Sequence, residues 1–248
     1  MSMGLSRRGA LVGGAGLLVS FRIPALAEEG GAAALPGSLK PFPMLDAWIR
    51  VDPKGRITVF TGKAELGQGI RTALTQIASD RLSVPPARVH LVTADTGQTP
   101  NEGYTAGSHS MQDSGTAIFH AAGQVRGLLL DAAAAQLAIP VGKLTVADGV
   151  IRAPDGRSLE YGPLAATLSL HVAAHPEPGP LTEPGGFRLV GSSMPRVDLP
   201  AKFTGGAAFI QDMTLPDLLH ARVVRQPSPG AKLEGGDFAV VEKMPGVV

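Results

Sequence analysis

Apolar and polar residues alternate at Trp48-Ile49-Arg50-Val51 and again at Arg56-Ile57-Thr58-Val59-Phe60. The intervening Asp52-Pro53-Lys54-Gly55 has turn chemistry, so the pattern predicts a β-hairpin. The period then changes. Ile70, Leu74, Ile77, Ala78 and Leu82 recur at the spacing of one buried helix face, and Pro85-Pro86 ends that helix. Val89–Thr93 reads as a further strand, opening into a polar loop from Ala94 to Asp113. Asp113 or Ser114 is placed to cap a second helix running to about Ala138, and its Ala, Gly and Leu content predicts burial. Leu144–Val146 and Val150–Arg152 flank Asp148-Gly149, a second hairpin signal, and a turn at Asp155-Gly156 leads to Leu159–Tyr161 and a short helix near Pro163–Leu168. Ala207–Asp212 and Leu218–Val224 are also strand-like. The order is α+β first and mostly β second.

Segments rich in glycine and proline divide the chain. Residues 28–44 and 171–186 read as linkers around a 45–170 segment, with a final region over 187–248. The first 27 residues carry Arg7-Arg8, an apolar run to Phe21 and Ala25-Leu26-Ala27 at cleavage spacing. They resemble a twin-arginine signal; an ordinary secretory signal with a chance arginine pair is the alternative. Either implies a periplasmic mature protein. The apolar run is too short to span a bilayer comfortably, so no integral membrane span is expected.

Composition removes several function classes. The net charge of +1 and the 4% aromatic content give no footprint for nucleic acid. There is no cysteine, so the chain has no thiolate of its own for zinc, for an iron–sulfur cluster or for nucleophilic catalysis.

Candidate chemistry gathers in two small-residue loops, each opening a helix. The first is Thr61-Gly62-Lys63-Ala64-Glu65-Leu66-Gly67-Gln68-Gly69-Ile70-Arg71-Thr72, and the second is Gly103-Tyr104-Thr105-Ala106-Gly107-Ser108-His109-Ser110-Met111-Gln112-Asp113-Ser114-Gly115. The first lacks G-x-x-x-x-G-K-[ST], and Thr72 stands where a dinucleotide fingerprint has its third glycine. The serines around His109 do not form G-x-S-x-G. His109 reads as a loop hydrogen-bonder or a ligand. The two helix N-termini either converge on one extended anionic ligand or are two unrelated turns; spacing alone leaves both open.

The blocks K-A-E-L-G-Q-G-I-x-T and G-Y-T-A-G-S-H-S-M-Q-D-S-G-T-A resemble the molybdopterin-binding subunits of the xanthine dehydrogenase family. Phe187–Gly205 and Asp212–Arg222 resemble the start of that family's α/β hammerhead domain. Here that region follows the Gly-Gln-Gly block, as in isoquinoline 1-oxidoreductase and nicotinate dehydrogenase large subunits. The resemblance implies an α+β molybdopterin-binding segment with hairpins and two buried helices, followed by a truncated hammerhead. It implies a molybdenum hydroxylase that binds molybdopterin cytosine dinucleotide and oxidises an N-heteroaromatic or aldehyde. Electrons would pass to a [2Fe–2S] small subunit and a c-type cytochrome. Carried over by motif, Gln68 would hydrogen-bond an oxygen on molybdenum, with Gly67 and Gly69 admitting the pterin. Gly107, Ser108 and Ser110 would contact the phosphate or nucleotide arm. Glu65 and Thr72 are expected to hold loop and helix together, and Tyr104 and Gln112 to lie nearby. The glutamate that serves the family as general base has no counterpart among the residues up to Val248. The expectation is therefore the N-terminal part of such a subunit, inactive alone, or a half-subunit completed by a second polypeptide.

Overall fold

The computed structural model describes residues 34–180 and 186–248, so the expected export signal lies outside the described residues. The chain divides into two compact units, Met1–Arg196 and Val197–Val248.

The first unit is α+β. β1 (Ile49–Val51) and β2 (Ile57–Thr61) form the expected antiparallel hairpin. Asp52 organises its turn by accepting from the Lys54 and Arg56 N–H groups, 2.9 Å each. α1 (Ile70–Leu82) then crosses to β3 (Val89–Thr93), which pairs parallel to β2 with Thr61 opposite Thr93. β2 is thus the central strand, and β2 and β3 end at the same edge of the sheet. α2 (Thr116–Leu137) packs on α1, burying Ala117, Ile118, Ala121, Ala122, Val125 and Leu129 against Leu74, Ala78 and Leu82. Both helices are buried as their composition predicts. A second sheet is the meander β4 (Thr145–Ala147), β5 (Val150–Arg152) and β6 (Ser158–Glu160), followed by α3 (Tyr161–Ala165). α3 begins two residues ahead of the expected Pro163, where the buried Tyr161 hydroxyl donates to the Leu82 carbonyl at 2.9 Å.

Three expectations for this unit need correction. Neither Asp113 nor Ser114 caps α2: both lie inside a π-helical turn, Met111–Gly115, that runs straight into it. Their side chains are drawn to Lys63 and Glu102 instead. The 171–180 stretch is not a free linker. Met44 bridges Ala173, and the Gln124 amide donates to the His175 and Glu177 carbonyls. The fully buried Arg81 guanidinium donates to the carbonyls of Phe119, Pro178 and Pro180. Residues 188–190 belong to the first unit too, their three N–H groups bound to the Asp80 carboxylate. Such partners lie far apart in the sequence, and no local pattern announces them.

The second unit contains α4 (Leu199–Thr204), a 3-10 turn at Ile210–Asp212 and α5 (Phe238–Glu242). Among the described residues, Ala207–Asp212 and Leu218–Val224 form no strand. With no neighbouring strand to take their N–H and C=O groups, alternation alone does not make a ladder.

Candidate functional site

Because β2 and β3 run parallel, the loops that leave them emerge side by side at one sheet edge. The C-terminal edge of parallel strands is where α/β folds collect ligand-binding loops. The two small-residue loops therefore converge. Two side chains that the sequence reading passed over join them. Lys63, buried to 3%, points into the second loop. Its Nζ donates to the Glu102 and Tyr104 carbonyls at 2.7 and 3.2 Å and pairs with the Asp113 carboxylate at 3.2 Å. Glu102 reaches the opposite way. Its Oε2 accepts from the Gly62 N–H at 2.7 Å and the Thr61 hydroxyl at 2.8 Å, and Ser114 Oγ lies 2.8 Å from both carboxylate oxygens. Thr105 Oγ1 completes the seam by accepting from the Ala64 N–H at 2.8 Å. At Gly62 the loops touch backbone to backbone, since a Cβ there would lie 2.1 Å from the Pro100 carbonyl oxygen. A Lys inside a G-K pair and a Glu just ahead of a glycine loop were the only signals for this pair.

The Gly-Gln-Gly loop has its own internal logic. Gly69 caps α1 in the left-handed conformation at φ +85°, which favours glycine. A carboxylate of the same loop already occupies this helix start. Glu65 Oε1 accepts from Gly67 and Gly69 at 2.8 and 2.9 Å, and Oε2 accepts from Arg71 at 3.1 Å. Glu65 thus holds loop and helix together as expected, placing a carboxylate at the positive end of the helix dipole. Gln68 folds back on its own loop, accepting from the Leu66 N–H at 2.5 Å and donating to the Ala64 carbonyl at 2.8 Å. An amide has two further hydrogen-bonding positions, and Gln68 is exposed.

An open cleft of about 690 Å³ lies where the loops meet, lined by Gly62, Ala64, Leu66, Glu102, Tyr104 and Thr105 among others. Gly67, Gln68 and Gly69 are sequence neighbours of that lining rather than part of it. Gly107 and Ser108 form an exposed left-handed pair at φ +64° and +59°, and Ser110 is half-buried at the start of the π-turn. These three also lie outside the lining. Tyr104 borders the cleft and is 93% exposed, whereas Gln112 is exposed beyond it. His109 stands 3.8 Å from Asp113, a loop contact. Among the described residues no cluster of His, Cys, Asp or Glu has the geometry to hold a metal ion. The open space at Gly67, where a Cβ would meet nothing within 4 Å, and the neighbouring cleft leave room for a bulky organic group.

The model of the molybdopterin cofactor-binding domain matches residues 23–211. The chain belongs to this family. It is 39% identical over 196 residues to a nicotinate dehydrogenase subunit of Pseudomonas putida, covering 78% of this chain and 16% of that protein. It is 26% identical over 284 residues to the beta subunit of the isoquinoline 1-oxidoreductase of Brevundimonas diminuta, covering 98% of this chain and 36% of that one. A membrane-bound aldehyde dehydrogenase of Gluconacetobacter polyoxogenes, whose name specifies pyrroloquinoline-quinone, is 30% identical over 253 residues, covering 98% of this chain and 32% of that protein. The resemblance read from the Gly-Gln-Gly and Gly-Tyr-Thr-Ala-Gly blocks therefore stands, and these relatives are oxidoreductases by name. The chain spans between 16% and 36% of their lengths.

Proposed function

We propose that this chain is the N-terminal part of a molybdenum hydroxylase large subunit. It would bind molybdopterin cytosine dinucleotide and, within the complete enzyme, contribute to oxidising an N-heteroaromatic or aldehyde substrate. The observation that carries the reading is the convergence of both motif loops at one sheet edge in a chain of the molybdopterin-binding family. When bound, the cofactor supplies the metal and its two-electron redox chemistry.

The chain's own residues would bind and orient. Gln68 would turn its remaining amide positions toward the metal end, while Gly67 leaves room for the ring system, a Cβ there meeting nothing within 4 Å. Gly107, Ser108 and Ser110 would hold the phosphate or nucleotide arm through backbone N–H and hydroxyl groups. Lys63 and Glu102 keep the two loops at a fixed separation, which pre-organises the contacts. Substrate turnover in the complete enzyme would call for a general base as well. A [2Fe–2S] small subunit, and a c-type cytochrome after it, would take the electrons, since this chain has no cysteine to hold a cluster. Export by the twin-arginine route fits a protein that folds around its cofactor before translocation.

The deciding measurement is the molybdenum and nucleotide content of the exported protein, purified with the chains that accompany it. Molybdenum together with releasable cytidine monophosphate is expected. Molybdenum without the nucleotide would refute the dinucleotide form, and a quinone without molybdenum would refute the reading itself. In the complete enzyme Gln68→Ala is expected to lower turnover on the order of a hundredfold, by analogy with loss of one oriented donor, while molybdenum content falls far less. Equal loss of both would assign Gln68 to cofactor retention instead.

A further inference from the structure

Residues 188–196 run along α1 toward its N-terminus. Beside the C-terminal half of the helix, Asp80 accepts from the N–H groups of Arg188, Leu189 and Val190 at 3.1, 3.0 and 2.7 Å. One turn nearer the N-terminus, Gln76 Nε2 donates to the Leu189 and Ser192 carbonyls at 2.7 and 3.1 Å. The strap ends over the Gly-Gln-Gly loop. There Arg196 Nη1 donates to the Gly67 carbonyl at 2.7 Å, and Nη2 lies 3.6 Å from Glu65 Oε1. The Arg196 side chain also borders Gly69, about 3.8 Å from the Cβ that residue lacks.

The position matters because of what it touches. Glu65 is a nearly buried carboxylate that already binds three loop and helix N–H groups. A guanidinium beside it offsets the cost of holding that charge out of water. The same guanidinium fixes the carbonyl of Gly67, the residue immediately before Gln68. Arg suits both tasks, because its planar fork offers several donors in fixed directions, whereas an ammonium is a point charge.

We propose that Arg196 is a positioning residue for Gln68: the strap 188–196 presents it to Glu65 and the Gly67 carbonyl, setting the conformation of the Gly-Gln-Gly loop. This deepens the cofactor reading by naming what orders the loop before any ligand arrives. It also assigns a task to Met194-Pro195-Arg196, which the sequence alone attaches to a separate region.

Hydrogen exchange of the full chain, read on peptides covering 64–72 and on those covering the α1 interior, tests this without a cofactor. Arg196→Gln is expected to speed exchange in 64–72 on the order of tenfold, the scale of one lost charge-assisted hydrogen bond, with α1 and the unfolding midpoint nearly unchanged. Arg196→Lys keeps the charge beside Glu65 and is expected to recover part of the protection. Unchanged exchange in 64–72 would overturn the proposal, and so would equal acceleration along α1, which marks a merely structural strap. Because this readout needs no molybdenum, its failure is distinguishable from failure of the cofactor assignment.

Discussion

At Glu65 the side chain does what a bound anion would do at a bare helix start. Three N–H groups converge on it, so Glu65→Ala should cost about 1–2 kcal/mol, the range for loss of a helix cap, measurable by urea unfolding. The consequence for Gln68 is direct. With the α1 terminus already neutralised, an incoming ligand meets an ordered loop and an amide rather than a naked dipole. A different residue carries the pH response. Burial, and then the nearby Arg81 charge, lower the His120 pKa from its ordinary 6.5 against smaller opposing effects of Glu177 and the Pro176 backbone. The unfolded chain therefore takes up a proton at a pH where the folded His120 does not. Stability is expected to be complete above about pH 6.5 and to fall as the pH drops below it. Urea midpoints between about pH 7.5 and 5 should show this slope, and His120→Gln should flatten it.

Between elements, two contacts set the site's frame. Lys63 is the bolt between the loops, and Lys63→Met leaves the Glu102 and Tyr104 carbonyls and Asp113 without their shared cation. The expected cost is about 1–3 kcal/mol in unfolding free energy, accompanied by faster exchange in residues 101–106. The second contact holds the Pro-rich segment on α2. A Cβ at Gly123 would sit 1.8 Å from Arg81 Nη2 and 2.3 Å from the Pro178 carbonyl oxygen. Gly123→Ala should therefore destabilise by about 1–3 kcal/mol even though alanine favours helices, because over-packing outweighs propensity. A thermal scan in which Gly123→Ala is neutral or stabilising would contradict this packing.

Over the whole molecule, the two units differ in kind. Met1–Arg196 holds both sheets and the hydrophobic core. Within Val197–Val248, Phe203, Ile210, Leu219, Val224 and Leu233 are exposed, and no strand forms among the described residues. Limited proteolysis is expected to cut within 205–236 well before the first unit is degraded, since cleavage follows exposed segments with few buried contacts. Cleavage appearing first within 49–165 would refute this difference in stability.

The elements that could be read from the chain are those written by local physics. The Asp52-Pro53-Lys54-Gly55 hairpin, α1 from Ile70 to Leu82, the strand Val89–Thr93 and the Asp148-Gly149 hairpin all rest on neighbours in sequence. The family, too, is legible in the two glycine-rich blocks. Only the tertiary structure decided the rest. Parallel pairing of β2 with β3 brings the two loops to one edge, and antiparallel pairing would have sent them to opposite ends. Lys63, Glu102, Asp80 and Arg196 meet distant partners only when the chain is folded: Glu102 lies 41 positions from Thr61, and Arg196 lies 129 from Gly67. Periodicity reports which face a residue turns to the core. It carries no information on which distant carbonyl or carboxylate a buried charge will meet, and those meetings fix the site.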